Sequence, residues 1–360
     1  FMKRKLLSLL LAVTVSSTVL SGCAATDSRA LIKIDGSKDE IEFGYGKFVA
    51  KLTQAMYDVT YSSYSGKDMW TSDYQGKGTT LQDDVKKNVI STLEQQYVLR
   101  KHAKDYGVKI TDKKEKEIEI ASAKFIKENS KAAISQLGAK NDYVTKYLQD
   151  RYVAAKVRSV IESKADTTVT DEEVNQKTIS YVYFNTRTKT DSAGKTSAVS
   201  EDEKPTMKAN AESLVTAEDF EKRTTDMEMT DKKLSFGQSE IADAKKSGTM
   251  TDTNGSSIPY AVLEAANKLA DGETSSVVED ESGYYVAHME NTNDADAEAA
   301  EKTKLEQKKT EEYYDKVYEG LKAKYAWDVN NSLWKSVKFI DRFSGSLIDT
   351  GNKTTKKATN

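Results

Sequence analysis

Cysteine, proline and histidine are nearly missing from this sequence, at one, two and two residues in 360. A lone cysteine, Cys23, excludes an internal disulfide framework. The two histidines, His102 and His288, stand at no metal-ligand spacing from each other, from cysteine or from a carboxylate cluster, so no metal centre is expected. No nucleophile motif accompanies either one, and no glycine-rich phosphate loop occurs, so no cofactor is expected either. His102 closes a helical stretch, where a cation suits the helix dipole, and reads as a surface or capping residue. Two prolines leave room for long uninterrupted helices. The charges nearly cancel, with 54 Lys and Arg against 57 Asp and Glu, a net of −3 that offers nucleic acid no basic surplus. Beyond residue 20 no apolar run approaches the roughly 20 residues that cross a bilayer.

What is present begins with an address. Lys3-Arg4-Lys5 followed by apolar Leu6 to Leu20 has the basic start and apolar core of an export signal. Leu20-Ser21-Gly22-Cys23 comes next and resembles the bacterial lipobox, whose cysteine carries lipid and becomes the first mature residue. Residues 1–22 are then a signal peptide and 23–29 a tether. A diacylglyceryl thioether on Cys23 would hold firmly, because each buried CH₂ contributes about 0.8 kcal/mol and a single chain alone is marginal.

From residue 30 the chain alternates between two characters. Ala30 to Ile34 reads as a strand and Phe43 to Tyr61 as a helix. Tyr61 to Gly78 sets Tyr61, Tyr64, Trp70 and Tyr74 among Ser, Gly and Asp. Such a loop can offer an apolar surface to a peptide, although a loop pinned by its tryptophan is the favoured reading. Thr80 to Tyr106 is strongly amphipathic, with Leu81, Val85, Val89, Leu93 and Tyr97 recurring every four residues, and Gly107 ends it. Helices are expected near 113–136 and 142–164. Thr170 with Glu173 forms a capping box, and Asp112 with Glu115 a looser one.

Between 178 and 292 the pattern changes. Ile179 to Phe184 and Gly283 to Met289 are short, aromatic and β-branched, and read as buried strands. Between them the expected order is a mobile polar loop over 185–204, a helix, a helical turn, a short irregular element at Leu234 to Gly237, a polar loop over 245–257, a helix from Pro259 to Leu269, and a strand near Val278. A charged helix follows from Asn293 to Lys324. Tyr325 to Leu347 is apolar enough to require a packing partner, for which the N-terminal helices are the natural candidate.

Together these features resemble the PrsA-type foldase lipoproteins, which belong with the SurA-like chaperones that carry parvulin domains. The resemblance rests on the lipobox, the Gly107-Val108-Lys109-Ile110-Thr111-Asp112 phrase, the mixed middle segment and the returning C-terminal stretch. Leu269 to Ser275 matches the parvulin Leu-x-x-Gly-Glu-x-Ser turn, and Gly283-Tyr284-Tyr285-Val286 its Gly-Tyr-His-Ile strand. The resemblance implies an α+β protein. A helical chaperone domain would span 30–177, with an inserted parvulin-like domain over 178–292, C-terminal helices over 293–348 packing on the first domain, and a disordered tail over 349–360.

The departures bear on activity. Tyr181 and Tyr285 stand where the family places its two histidines, Val262 where it has a pocket aromatic, and Asn267 where it has a second Phe. His288 does not replace a lost histidine, because residues three apart on a strand face opposite sides. Rotation about a prolyl bond needs no nucleophile or metal. It needs a dry slot for the ring and hydrogen bonds that favour the twisted amide over a barrier of about 18–20 kcal/mol. Tyr181 and Tyr285 could supply those bonds or merely fill the space, and filling is the favoured reading. Val262 and Phe236, with Trp70 and Tyr74 of the aromatic loop, are the candidate client contacts.

The leading expectation is an extracytoplasmic, lipid-anchored chaperone or foldase of a bacterium, Gram-positive by resemblance. It would bind unfolded or partly folded secreted polypeptides without ATP, and its peptidyl-prolyl isomerase domain would be weak or inactive. Nucleic acid is not expected as a partner, and a homodimer is left open. Two rival readings stand beside it: an active isomerase that uses tyrosines, and a lipoprotein scaffold for one fixed partner.

Overall fold

The computed structural model describes residues 11–13, 24–35, 37–61, 65–66, 68–190, 193–252, 255–339, 343 and 347–349. Cys23, Tyr64, residues 350–360 and most of the stretch read as a signal lie outside them. The chain is α+β and divides into two compact units, one built from residues 1–165 and 312–360 and the other from 166–311.

In the first unit a single helical turn, Ala24–Asp27, occupies the stretch read as a tether and is followed by strands β1 (Ala30–Asp35) and β2 (Glu40–Glu42), paired antiparallel. Helix α1 (Phe43–Tyr61) follows directly and buries Phe48, Val49, Leu52 and Ala55. Helix α2 (Leu81–Lys101) starts at a capping box, where Asp83 N–H donates to Thr80 Oγ1 and Thr80 N–H to Asp83 Oδ2, each at 3.3 Å. Its stripe of Val85, Val89 and Leu93, four residues apart, is buried. A 3₁₀ turn then ends at Gly107 in the left-handed region.

The helix expected over 113–136 is two: α3 (Asp112–Glu128) and α4 (Lys131–Leu137). The break is local chemistry. Asn129 Nδ2 donates to Phe125 O at 2.8 Å and stops the first helix, while Ser130 Oγ accepts from Ala133 N–H and starts the second. The cap of α3 is Thr111, which accepts from Lys114 N–H, and not the Asp112 pairing read from the sequence. Helix α5 (Asn141–Glu162) completes the N-terminal helices.

The second unit is organised by a four-stranded antiparallel sheet. In chain order its elements are β3 (Lys177–Asn185), a small hairpin of β4 (Thr188–Thr190) and β5 (Thr196–Ala198), helices α6 (Lys204–Val215) and α7 (Phe220–Asp226), and β6 (Lys232–Phe236). After these come α8 (Gln238–Ser247), a second hairpin of β7 (Thr249–Thr251) and β8 (Ser257–Pro259), α9 (Tyr260–Ala266), β9 (Val278–Asp280) and β10 (Gly283–Asn291). The sheet order is β9-β10-β3-β6.

Three expectations are corrected here. The segment 232–236 is a regular edge strand, because Leu234 and Phe236 alternate inward against β3. The polar stretches expected as loops at 185–204 and 245–257 each hold a hairpin. The threonines of the first suit a strand, and Thr190 and Thr196 share a hydrogen bond across it at 3.2 Å.

Both faces of the sheet are covered. Ile179, Tyr181, Tyr285, Ala287 and Met289 pack on one side with Leu263 and Val262 of α9. Val182, Phe184, Tyr284 and Val286 pack on the other with Ala211 and Leu214 of α6 and with Phe220. Gly283 joins β9 to β10 at φ +151°, where a Cβ would lie 1.9 Å from Phe184 O, so only glycine fits this approach.

Helix α10 (Ala295–Lys322) brings the chain back. Its Tyr314, Tyr318 and Leu321 pack with Val98, Leu99, Val153 and Val157 in the first unit. Beyond it the expected helices are one strand, β11 (Ala326–Val329), and one short helix, α11 (Asn331–Ser336). Trp327 and Val329 alternate inward as β11 pairs with β1, making the sheet order β11-β1-β2. Trp334, Val337, Phe339 and Phe343 enter the same core as α1 and α2. Among the described residues no helix is long and apolar enough to cross a membrane.

Candidate functional site

On the α9 side of the second unit's sheet, strand alternation lines up tyrosines. Tyr183 lies directly across from Tyr285, and Tyr181 across from Ala287, so Tyr181 and Tyr285 are diagonal neighbours on one face. The Tyr183 and Tyr285 rings stack with centroids 4.4 Å apart and planes 17° from parallel. The β7–β8 hairpin packs against this face. It brings Asp252, whose Oδ2 accepts the Tyr181 hydroxyl at 3.0 Å. Asp252 is itself held at the hairpin end: its Oδ1 accepts Ser256 N–H at 2.7 Å, and its own N–H donates to Ser256 O at 2.9 Å.

At the other edge, the turn between β9 and β10 supplies polar partners. Tyr183 O–H donates to Ser282 O at 2.9 Å, and Tyr285 Oη lies 3.3 Å from Ser282 Oγ. Around these groups lies a cavity of about 420 Å³, walled by Tyr181, Tyr183, Tyr285, Ile258 and Pro259. Burial, then the neighbouring Asp252, pushes the Tyr181 hydroxyl well above the ordinary phenol range. Burial likewise pushes Tyr285 up to about 12. Both phenols are therefore neutral at physiological pH. A neutral phenol has one proton to donate, and Tyr181 has spent it on Asp252. Tyr285 keeps the weaker commitment.

His288 lies on the opposite face, stacked on Phe220 at 5.1 Å with its Nδ1 2.9 Å from Thr274 Oγ1. The remaining candidates fall elsewhere. Val262 and Phe236 are fully buried, at 0% exposure, and pack behind the tyrosine face without lining the cavity. Trp70 belongs to the first unit and is buried there. Its Nε1 donates to Asp58 at 2.8 Å and its ring meets Phe339 edge-on at 4.8 Å, so it pins the loop. Tyr74 is 62% exposed on that loop. Cys23 lies outside the described residues. Among the described residues no group of three or more His, Cys, Asp or Glu side chains gathers as a metal site would require.

Sequence reasoning missed Tyr183, Asp252, Ile258 and Pro259. Tyr183 follows from period-two alternation with Tyr181. The hairpin had its own signal in Asn254-Gly255 between Thr249-Met250-Thr251 and Ser257-Ile258.

The first unit holds a second concavity, of about 470 Å³, between α1, α2 and α5. Its wall is mostly apolar and includes Val49, Met56, Tyr57 and Val89, and Gln96 and Arg151 also line it.

No protein-family model matches the chain, and no curated protein matches it. Several solved structures are similar to it. A foldase PrsA from Lactococcus lactis is 17% identical over 86% of this chain and 98% of its own, with a TM-score of 0.30. A foldase PrsA from Streptococcus pneumoniae is 17% identical over 74% of this chain and 97% of its own, with a TM-score of 0.31. A SurA-like chaperone from Campylobacter jejuni is 11% identical over 83% of this chain and 98% of its own, with a TM-score of 0.27. At such TM-scores the likeness does not bear on function, which has to be read from the chain's own residues.

Proposed function

We propose that this protein is an extracytoplasmic foldase that holds unfolded polypeptides and whose sheet unit keeps the shape of a prolyl-isomerase slot with little of its catalysis. The observation that carries this reading is the tyrosine face. It offers an aromatic-walled cavity large enough for a proline ring and its flanking peptide, since ligand pockets of this kind run from about 300 Å³ upward. Yet the hydroxyl at the position of one family histidine is tied to Asp252, and the ring at the other is stacked on Tyr183. Rotation about a prolyl bond is accelerated only by contacts stronger with the twisted amide than with the planar one. A slot whose donors are already engaged binds both forms about equally. Binding without turnover is the behaviour of a holdase, and the apolar concavity of the first unit gives a second surface for it.

Anchoring belongs to the same reading. The basic start, apolar core and Leu20-Ser21-Gly22-Cys23 support lipidation of Cys23 and retention at the outer face of a bacterial membrane. Cys23→Ala should release the protein from the membrane fraction while leaving its folding unchanged.

The direct experiment is suppression of aggregation. Stoichiometric protein should keep a chemically unfolded client in solution without ATP. Undiminished light scattering from the client in its presence would overturn the proposal.

A further inference from the structure

Among the described residues, the α1–α2–α5 groove of the first unit carries one charged residue and one orphan. Arg151 is the only charged side chain on its wall among the described residues. Its Nη1 donates to Tyr147 Oη at 3.2 Å and its guanidinium lies 5.4 Å from the centre of that ring, which fixes its direction. Among the described residues no carboxylate lies within ion-pairing distance of it. The adjacent Asp150 is engaged by Arg100 and Lys146 instead. A guanidinium carries five donors, so most of those on Arg151 remain available to a carboxylate.

Gln96 is 6% exposed, lines the same groove, and its Oε1 has no hydrogen-bond partner among the described residues. Buried polar atoms without partners are rare in folded proteins, and each calls for a reason. An N–H from a peptide backbone seated in the groove supplies one.

Resting on the holdase reading above, we infer that this groove selects client segments in which small apolar residues adjoin an aspartate or glutamate. The apolar side chains cover Val49, Val89 and Met56. A backbone N–H of the segment donates to Gln96 Oε1, and the acidic side chain pairs with Arg151. A basic residue at the same place meets Arg151 as a like charge, which is where the selectivity arises.

The test uses two fluorescein-labelled peptides of Val, Leu, Ser and Gly, identical but for one central Asp or Lys, titrated against the full chain by anisotropy. The Asp peptide should bind about tenfold tighter than the Lys peptide. Arg151→Glu should reverse that order. Gln96→Met should weaken both peptides about threefold without lowering the melting temperature, because it removes an unpaired buried acceptor. Equal binding of the two peptides, no binding of either, or an unchanged order in Arg151→Glu overturns the assignment. So does self-association of the chain that Arg151→Glu abolishes, which would make the groove an interface between copies. Failure of the unaltered chain to suppress aggregation defeats the holdase reading. Suppression intact alongside unselective peptide binding defeats only the groove assignment.

Discussion

The hydrogen bond between Tyr181 and Asp252 is the feature that distinguishes a tied-up slot from a working one, and its strength can be measured. Tyr181 is 1% exposed and Asp252 6% exposed, so the bond between them is largely shielded from water. Tyr181→Phe deletes one bond to Asp252 and should cost about 1.5–3 kcal/mol, the range for hydrogen bonds to charged groups. Asp252→Ala should cost more, about 3 kcal/mol, because it takes the charged acceptor from the Tyr181 hydroxyl and also removes the acceptor that holds Ser256 N–H. The decisive term is the double variant. In the Asp252→Ala background the Tyr181 hydroxyl has already lost its charged acceptor, so Tyr181→Phe should cost much less there, about 0–1 kcal/mol. Urea unfolding followed by far-ultraviolet circular dichroism gives these values. Trp70, Trp327 and Trp334 all belong to the first unit, so tryptophan fluorescence serves as an internal control that should not move. An equal cost of Tyr181→Phe in both backgrounds would refute the reasoning.

Other consequences follow from the packing. Gly283→Ala drives a Cβ into Phe184 O and should destabilise the second unit by about 3 kcal/mol or more, read as a lower urea midpoint for that unit with the fluorescence transition unchanged. Burial raises the phenols of Tyr45, Tyr181, Tyr285, Tyr314 and Tyr318. Groups whose folded pKa is raised add stability below the unfolded value and lose it as pH climbs through the folded one. The melting temperature should therefore fall from about pH 10 upward, with Tyr285 losing its part near 12. Tyrosinate absorbance that appears in full at pH 10 before any unfolding would contradict this.

Much of this architecture was legible in advance, for identifiable reasons. Long-period and period-two patterns are written in side chains, so α2 and the pair β3 and β10 were found nearly at their ends. Gly283 was legible as part of a motif, and its physical cause is the carbonyl that excludes a Cβ. What escaped depended on partners far along the chain or on single side chains. The break at Asn129-Ser130 is two local hydrogen bonds that a hydrophobic pattern does not register. Strand β11 is only four residues long, with Trp327 and Val329 turned inward, and becomes a strand because β1 offers it an edge. Asp252 sat in a stretch that composition marks as loop. Only its burial beneath Tyr181 gives it meaning. Val262 was placed by position in a motif and Phe236 as a candidate contact in a short irregular element, and the structure sets both behind the tyrosine face.

The most direct test of the central claim is the rate at which the full chain isomerises a short prolyl peptide, followed by exchange spectroscopy with a parvulin as the positive control. A rate within a few-fold of the uncatalysed peptide, in the unaltered chain and in Tyr285→Phe alike, is what the engaged tyrosines predict. Strong acceleration that disappears in Tyr285→Phe would contradict it and make the tyrosine face an active site.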